Sequence, residues 1–236
     1  MKIPWHIAIV IPARDEQELL PRCLRSVQNA RRMLPADVTS DLVVVADQST
    51  DRTYQIAHEL IRENGTVMET EVGCVGAARA LGARRAVERY AGDPNRCWLA
   101  NTDADCQVPA TWLLDQLAFA NAGFAAVAGI IDVDSFAEHE SLVSERFRLS
   151  YLVHSDGTHP HVHGANLGVR ADAYLQVGGW QDLSTAEDHD LWRRLQSGRY
   201  KPISDARLCV LTSGRRIGRA PFGFAGALAA HNGIAG

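Results

Sequence analysis

The sequence lacks paired cysteines, long apolar runs and an excess of basic residues. Its odd number of cysteines, none in a CxxC spacing, leaves at least one thiol without an intrachain partner, which favours a reducing, cytoplasmic setting. The cysteines are Cys23, Cys74, Cys97, Cys106 and Cys209. No apolar run approaches the ~20 residues that a transmembrane helix needs, and Pro12 interrupts the first run too early for a secretory leader. The formal net charge of -4 argues against a protein that binds a nucleic-acid backbone.

The composition is that of an ordinary globular protein. With 46% hydrophobic and 22% charged residues among 236, the chain can bury a sizeable core, and we expect one domain over residues 1–236. The tail, 220–236, is rich in Gly and Ala and only weakly apolar. It is consistent with a frayed helix, the interpretation we favour, or with a surface that contacts lipid or a partner, so that peripheral membrane contact stays open.

Apolar strand-like runs alternate with helical patterns through the first half of the chain. The runs lie at 7–11, 42–46, 66–72, 98–100 and 124–133. Continuous apolar strands joined by helices predict an α/β fold with a mostly parallel sheet covered by helices on both faces. Ligands of such sheets bind beyond the carboxyl ends of the strands. After about Glu138 the pattern changes to a long helical stretch, a histidine-rich segment and shorter elements.

Polar loops follow three of the predicted strands, at 12–16, 47–51 and 101–105, and should converge on one cleft. Asp103 and Asp105, separated by one residue at a strand end, could both approach a hard divalent cation, Mn²⁺ or Mg²⁺, that also holds phosphate oxygens. Taken alone such a DxD triplet is weak, because an aspartate after a strand more often forms a turn or caps a helix.

Several stretches in sequence order raise the weight of that triplet. They are 9–16, 47–53, 76–82, Asp103-Ala104-Asp105, 164–170, Gly178-Gly179-Trp180 and 187–191. Together they resemble the nucleotide-sugar domain of family 2 glycosyltransferases, whose fold class is called GT-A. The resemblance implies a nucleotide-sugar-binding half at about 1–137 and an acceptor-side half at about 138–236.

The resemblance also implies roles for residues of the first half. The loop beside the nucleotide would contribute Pro12, Ala13, Arg14 and Glu16. Asp47 would accept a hydrogen bond from the imide N–H of uracil, for which an acceptor-only carboxylate is suited, and a UDP-sugar is therefore the favoured donor. Arg79 would contact the base or a phosphate. The alternatives are a helix cap for Asp47 and a solvated helix arginine for Arg79, and Gln48 departs from the family pattern and leaves the base open.

Three further features lie in the second half. Glu187-Asp188 resembles the family's catalytic pair, with Asp188 as the general base that deprotonates the acceptor and Asp190 as the fallback. Residues 184–187 also read as a capping box, in which Glu187 only caps the helix. Arg215, after an apolar strand, could neutralise the diphosphate leaving group or lie in a solvated basic loop.

The alternating histidines His159, His161 and His163 would share one face of an extended segment. They could in principle bind zinc, but we favour surface or acceptor-side histidines, with His163 near the metal.

These features predict a metal-dependent glycosyltransferase that moves a sugar from a nucleotide-diphosphate donor to an unknown acceptor: a saccharide, a lipid-linked compound or a small molecule. The resemblance implies inversion at the anomeric carbon.

A nucleotidyltransferase acting on a sugar phosphate is disfavoured because residues 12–16 contain no glycine for a phosphate loop. A catalytically inactive nucleotide-sugar-binding module is disfavoured by the intact Asp103, Asp105 and Asp188. A dinucleotide oxidoreductase is disfavoured because no GxGxxG follows the first strand.

Overall fold

A computed structural model describes residues 4–219 and 223–233. Its centre is a seven-stranded sheet with the strand order β3-β2-β1-β4-β6-β5-β7. The strands are β1 (His6–Ala13), β2 (Thr39–Asp47), β3 (Thr66–Thr70), β4 (Cys97–Asn101), β5 (Ala126–Val133), β6 (Leu167–Arg170) and β7 (Pro202–Thr212). The pairs β1–β2, β1–β4, β2–β3 and β5–β7 are parallel, so the sheet is mostly parallel, as predicted.

Eight helices connect or flank the strands within the described ranges. They are α1 (Leu20–Arg32), α2 (Thr53–Ile61), α3 (Val75–Tyr90), α4 (Trp112–Asn121), α5 (Val143–Ser150), α6 (Ala171–Gln176), α7 (Glu187–Ser197) and α8 (Phe224–Ala229). Of the tail 220–236, only 223–233 is described, and α8 gives that part a short helix. No helix in the described ranges has the length and apolar character needed to cross a membrane.

The core has two layers because successive side chains of a strand point to opposite faces of the sheet. Ile7, Ile9 and Ile11 of β1 pack with the apolar faces of α1 and α4, whereas Ala8 and Val10 pack with α3 and α7. All five of these side chains are fully buried, which is why β1 reads in the sequence as a continuous apolar run.

A close helix–strand contact explains the small residues of α3. A Cβ added at Gly82 would lie 2.6 Å from Cγ1 of Val10, so a larger residue would push the helix away from the sheet. The first turns of α3 are thereby held close to the carboxyl ends of β1 and β2, the edge at which a ligand is expected.

The antiparallel strand β6 is a feature that the sequence analysis did not predict. It lies between β4 and β5 and runs against both. Just before it, the fully buried Asn166 donates hydrogen bonds from its amide to the carbonyl oxygens of Ile130 and Leu208, each at 2.8 Å, and accepts one from Nε1 of Trp112 at 3.0 Å. Asn166 therefore joins β5 to β7, a structural role for part of the stretch 164–170.

Candidate functional site

A cleft of about 240 Å³ opens at the carboxyl ends of β1, β2 and β4, where the sequence predicted convergence. It is lined by most of the predicted site residues: Pro12, Ala13, Arg14, Glu16, Asp47, Asp103, Asp105 and Arg215. The remaining three, Arg79, Glu187 and Asp188, do not line it, and Arg79 and Glu187 are connected to it through the pair that Arg79 forms with Asp103.

Hydrogen bonds between the loops after β1 and β2 fix the first wall of the cleft. The backbone N–H of Thr50 donates to Oδ1 of Asp15 at 2.8 Å, and that of Glu16 donates to Oγ1 of Thr53 at 2.7 Å. Asp15 has a φ of 50°, which turns the chain sharply after β1. The loop is thus rigid enough to present its backbone and the Glu16 side chain to the cleft.

Asp47 ends β2 and is nearly fully buried. Its Oδ1 accepts a hydrogen bond from the backbone N–H of Gly73 at 3.1 Å. Asp51 is the residue that accepts a hydrogen bond from the N–H of Thr53 at the start of α2, so the helix-cap interpretation of Asp47 is wrong. The Asp47 carboxylate, which can accept more than one hydrogen bond, lies instead in the wall of the cleft, beside Gly73 just before α3.

Asp103 and Asp105 lie on the loop after β4 and, with Cys106, could hold a metal ion. One ligand atom from each of the three lies within 4.8 Å of the others. Burial raises the pKa of the Cys106 thiol well above its usual value, which keeps it protonated, and hard divalent cations prefer oxygen. Burial raises the pKa of Asp105, as does the Asp103 carboxylate, against the opposing effect of Arg215. A bound cation would counter this rise, because it favours the ionised form of the carboxyl group. The two carboxylates therefore fit a hard divalent cation.

Arg215, on the loop after β7, bridges two acidic groups of the cleft. Its Nη1 lies 2.7 Å from Oε1 of Glu16 and its Nη2 lies 3.0 Å from Oδ2 of Asp105. Burial and the Asp105 charge raise the pKa of Glu16 to about 7, against the opposing effect of Arg215. Because the Arg215 side chain is only 19% exposed and doubly paired, the alternative of a solvated basic loop is wrong for this residue.

Arg79 is a buried side chain of α3, and the alternative of a solvated arginine is wrong. Its Nη2 lies 2.5 Å from Oδ1 of Asp103, its Nε lies 3.2 Å from Oε1 of Glu187, and its guanidinium carbon lies 5.4 Å from the centre of the Trp180 ring. Burial alone would lower the pKa of Arg79, but the Asp103 and Glu187 charges raise it above its ordinary value. Through this ion pair Arg79 fixes the position of the Asp103 carboxylate. A direct contact of Arg79 with the base or a phosphate of the donor stays a prediction.

The capping-box interpretation of Glu187 is wrong. The N-cap of α7 is Ala186, with a φ of 58°, and no side chain caps this helix. The Glu187 carboxylate is turned away from the helix end because it pairs with the buried Arg79, and an ion pair in that environment outweighs one backbone hydrogen bond.

We expect Glu187→Gln to lower the free energy of unfolding by about 1–3 kcal/mol, because it removes a charged partner from a buried guanidinium. Chemical denaturation measures this change. Glu88→Gln is the matched control, since Glu88 forms only exposed pairs with Arg84 and Arg85, and such pairs contribute about 1 kcal/mol or less. Equal stability losses in the two variants would contradict the buried-pair role.

Asp188 lies in the first turn of α7 and is partly exposed. Its Oδ2 accepts a hydrogen bond from the N–H of Gly164 at 2.8 Å and its Oδ1 accepts one from the N–H of His189 at 2.7 Å. Asp190, the fallback base, is paired instead with Arg193 and Arg194, and hydrogen bonds from these arginines lower its pKa. Of the two aspartates, Asp188 is the one without an arginine partner among the described ion pairs.

The histidines share one face of their segment, as predicted. The His161 ring stacks on Tyr151 with 3.9 Å between centroids, and it lies 6.0 Å from the nearly parallel His163 ring. Nε2 of His163 hydrogen bonds to the Tyr151 hydroxyl at 2.8 Å. Burial lowers the pKa of His163 to about 3, so this ring is neutral. The His161 and His163 rings therefore stack on each other and on Tyr151. The group that could hold a metal ion, Asp103, Asp105 and Cys106, does not include these histidines.

Several cleft residues were not predicted from the sequence. They are Gly73, Cys74, Val75, Ala78, Ala104, Ser184, Thr212, Ser213, Gly218, Arg219, Gly223, Phe224 and Ala225. Most are small or apolar and carry no chemical signal. Arg219 is the exception: it donates to the carbonyl oxygen of Asp15 at 2.9 Å, and its place in a segment that also contains Arg215 and Arg216 gives little indication of such a position.

Comparisons with known proteins identify the family and the fold. The family model described as "Glycosyl transferase family 2" matches residues 8–178. A search of curated proteins found no significant match. The structure of S. aureus TarS 1-349 in complex with UDP-GlcNAc is similar with a TM-score of 0.65 and 15% identity over 90% of this chain and 60% of that one. The mannosyltransferase PcManGT from Pyrobaculum calidifontis, in complex with GDP-Man and Mn²⁺, is similar with a TM-score of 0.67 and 18% identity over 95% of this chain and 68% of that one.

These similarities show the fold, and they confirm the predicted GT-A class. This chain spans 60% of the length of the TarS chain to which it is similar.

Proposed function

The chain belongs to glycosyl transferase family 2, and we propose that it transfers a sugar from a nucleotide-diphosphate donor to an acceptor hydroxyl with the help of Mn²⁺ or Mg²⁺. The observation that carries the proposal is the pair Asp103 and Asp105, two carboxylates converging at a strand end in a cleft that also contains Asp47 and Arg215. A cation there would neutralise the negative charge that develops on the departing diphosphate.

The donor that we favour is a UDP-sugar. Asp47 presents an acceptor-only carboxylate at the carboxyl end of β2, where it would receive the imide N–H of uracil. TarS binds UDP-GlcNAc and the similar mannosyltransferase binds GDP-Man, and both ligands are nucleotide-diphosphate sugars. Uracil and guanine both present an N–H to such an acceptor, whereas adenine presents a ring nitrogen acceptor at the corresponding edge, so ADP is a suitable negative control.

Protein side chains would divide the work of transfer between the two halves of the chain. In the first half, Asp103 and Asp105 would hold the cation and Asp47 would hold the base. In the second half, Asp188 would accept the proton of the acceptor hydroxyl as that oxygen bonds to the anomeric carbon. The bond from the anomeric carbon to the diphosphate oxygen breaks in the same step, and Arg215 would contact the departing diphosphate. We propose a single displacement with inversion.

The test is nucleotide binding with metal and with chelator, alongside turnover. We expect UDP and a UDP-sugar to bind much more tightly with Mn²⁺ or Mg²⁺. A ligand at a hundredfold its Kd should raise the free energy of unfolding by about 2.7 kcal/mol, which thermal denaturation detects. Equal affinity with metal and with chelator would remove the metal from the proposal, and binding without turnover would indicate an inactive binding module.

We expect Asp47→Ala to weaken UDP binding while it leaves the metal-dependent affinity for pyrophosphate nearly unchanged. The lost carboxylate would contact only the base, so the phosphate side of the cleft keeps its ligands. Isothermal titration with both compounds measures this difference. Tighter binding of a guanine or thymine nucleotide than of UDP by the wild-type protein would overturn the uracil assignment.

A further inference from the structure

Each carboxylate of the candidate metal site forms an ion pair with an arginine in this structure. Asp103 is paired with Arg79 and Asp105 is paired with Arg215. A divalent cation bonds carboxylate oxygens at about 2.0–2.6 Å, and a guanidinium on the same oxygen would place two positive groups in contact. A cation that binds these same oxygens, Oδ1 of Asp103 and Oδ2 of Asp105, therefore competes with the arginine on each of them.

Arg79 cannot move easily. It is 2% exposed, paired with Glu187 and packed against Trp180. A Cβ added at Gly164 would lie 2.5 Å from Nη2 of Arg79, so the backbone also closes on this guanidinium. Displacing it would leave Glu187 as a buried, unpaired carboxylate, which is strongly unfavourable.

Arg215 is more accessible than Arg79. Its side chain is 19% exposed and lines the cleft. Hydrogen bonds hold the backbone on either side of it, from Gly214 to Asp134 and from Arg216 to Glu138, so the side chain is the part that can move. It holds Glu16 through Nη1 and Asp105 through Nη2, so release of Asp105 leaves the Glu16 contact in place. Glu16 is itself fixed by its backbone hydrogen bond to Thr53 and can therefore act as the pivot for the arginine.

We propose that Arg215 is paired with Asp105 in the metal-free protein and that metal binding displaces it from Asp105 towards the diphosphate of the donor. The ion pair with Glu16 would hold the displaced side chain in the cleft. Metal binding would therefore also make the phosphate-binding guanidinium accessible. Before the metal binds, the buried acidic groups of the cleft are thus paired, and only afterwards is the Nη2 side of the Arg215 guanidinium available to the donor. This inference rests on the proposed function, because it assumes that Asp105 is a metal ligand.

The test compares Mn²⁺ affinity without nucleotide and UDP affinity at saturating Mn²⁺ in Arg215→Met. We expect Mn²⁺ binding, measured by titration followed by electron paramagnetic resonance, to become about tenfold tighter because the competitor is gone. We expect UDP binding to become about tenfold weaker because the displaced arginine is missing from the diphosphate. A variant with a merely damaged site would lose affinity for both, and that result would overturn the proposal.

Two further variants sharpen the comparison. Arg219→Met removes one positive charge from the same cleft without touching Asp105, and we expect its Mn²⁺ affinity to rise by less than about threefold. Arg215→Lys keeps the charge and the fold but cannot bridge both carboxylates, and we expect an intermediate rise in Mn²⁺ affinity. Unchanged Mn²⁺ affinity in Arg215→Met and Arg215→Lys, with normal binding by the wild type, would overturn this inference alone. A wild-type protein that binds no Mn²⁺ would overturn the proposed metal site as well.

Discussion

Asp188→Asn is expected to lower the rate of sugar transfer by about 100- to 10,000-fold while donor binding survives. The amide keeps the size of the side chain but cannot accept a proton at neutral pH, and losses of this size are typical when a general base is removed. The measurement is turnover with an acceptor identified by screening, alongside the Kd of the donor in Mn²⁺.

The surroundings of Asp188 call for a stability control in this experiment. Both of its oxygens accept backbone hydrogen bonds, from Gly164 and His189, and an asparagine has one acceptor oxygen for the two donors. We therefore expect Asp188→Asn also to lower the free energy of unfolding by about 1 kcal/mol. This effect is too small to explain a hundredfold loss of rate in a protein that remains folded at the assay temperature.

Asp190→Asn is the matched comparison for Asp188→Asn, because it changes a carboxylate of the same helix that is paired with two arginines. We expect its turnover to stay within a few-fold of the wild type. Near wild-type turnover in Asp188→Asn would leave the mechanism without its base, and a large loss in Asp190→Asn would transfer the role to that residue.

Asp105→Ala should abolish the dependence of UDP binding on metal. Because one of the two carboxylate ligands is removed, we expect the affinity for Mn²⁺ to fall by at least about 100-fold. The affinity for UDP in Mn²⁺ should then fall to the level measured with chelator. Isothermal titration of wild type and variant with UDP, in Mn²⁺, in Mg²⁺ and in chelator, measures the change.

The control for Asp105→Ala is Asp172→Ala, which removes a carboxylate paired with Arg170 outside the cleft. We expect it to bind Mn²⁺ and UDP as the wild type does. If UDP binding still depends on metal in Asp105→Ala, the assignment of this residue as a metal ligand is wrong.

The central strands and the cleft could be predicted from the sequence because their signals are local. The fully buried strands β1 and β2 read as unbroken apolar runs, and the polar loops after them, with the DxD after β4, identify the carboxyl edge of the sheet. Those loops and Arg215 indeed line one cleft.

Predictions failed where a role depended on a partner distant in sequence. Residues 184–187 have the local pattern of a capping box, but Glu187 pairs with Arg79, 108 residues away in the chain, and no capping hydrogen bond forms. The strand β6 was missed because its four residues become a strand only when they pair with β4 and β5. A local pattern carries no information about such partners.

The sequence by itself determined the alternation of strands and helices, the edge of the sheet that carries the site and the chemical types available there. Only the tertiary structure decided how those groups are paired: Arg79 with Asp103, and Arg215 with both Glu16 and Asp105. The physical reason is that an ion pair in a buried site forms between whichever opposite charges the packing of distant elements brings within about 3–4 Å. That distance is set by how α3, α7 and the loop after β7 pack on the sheet, and neither spacing nor residue type encodes it locally.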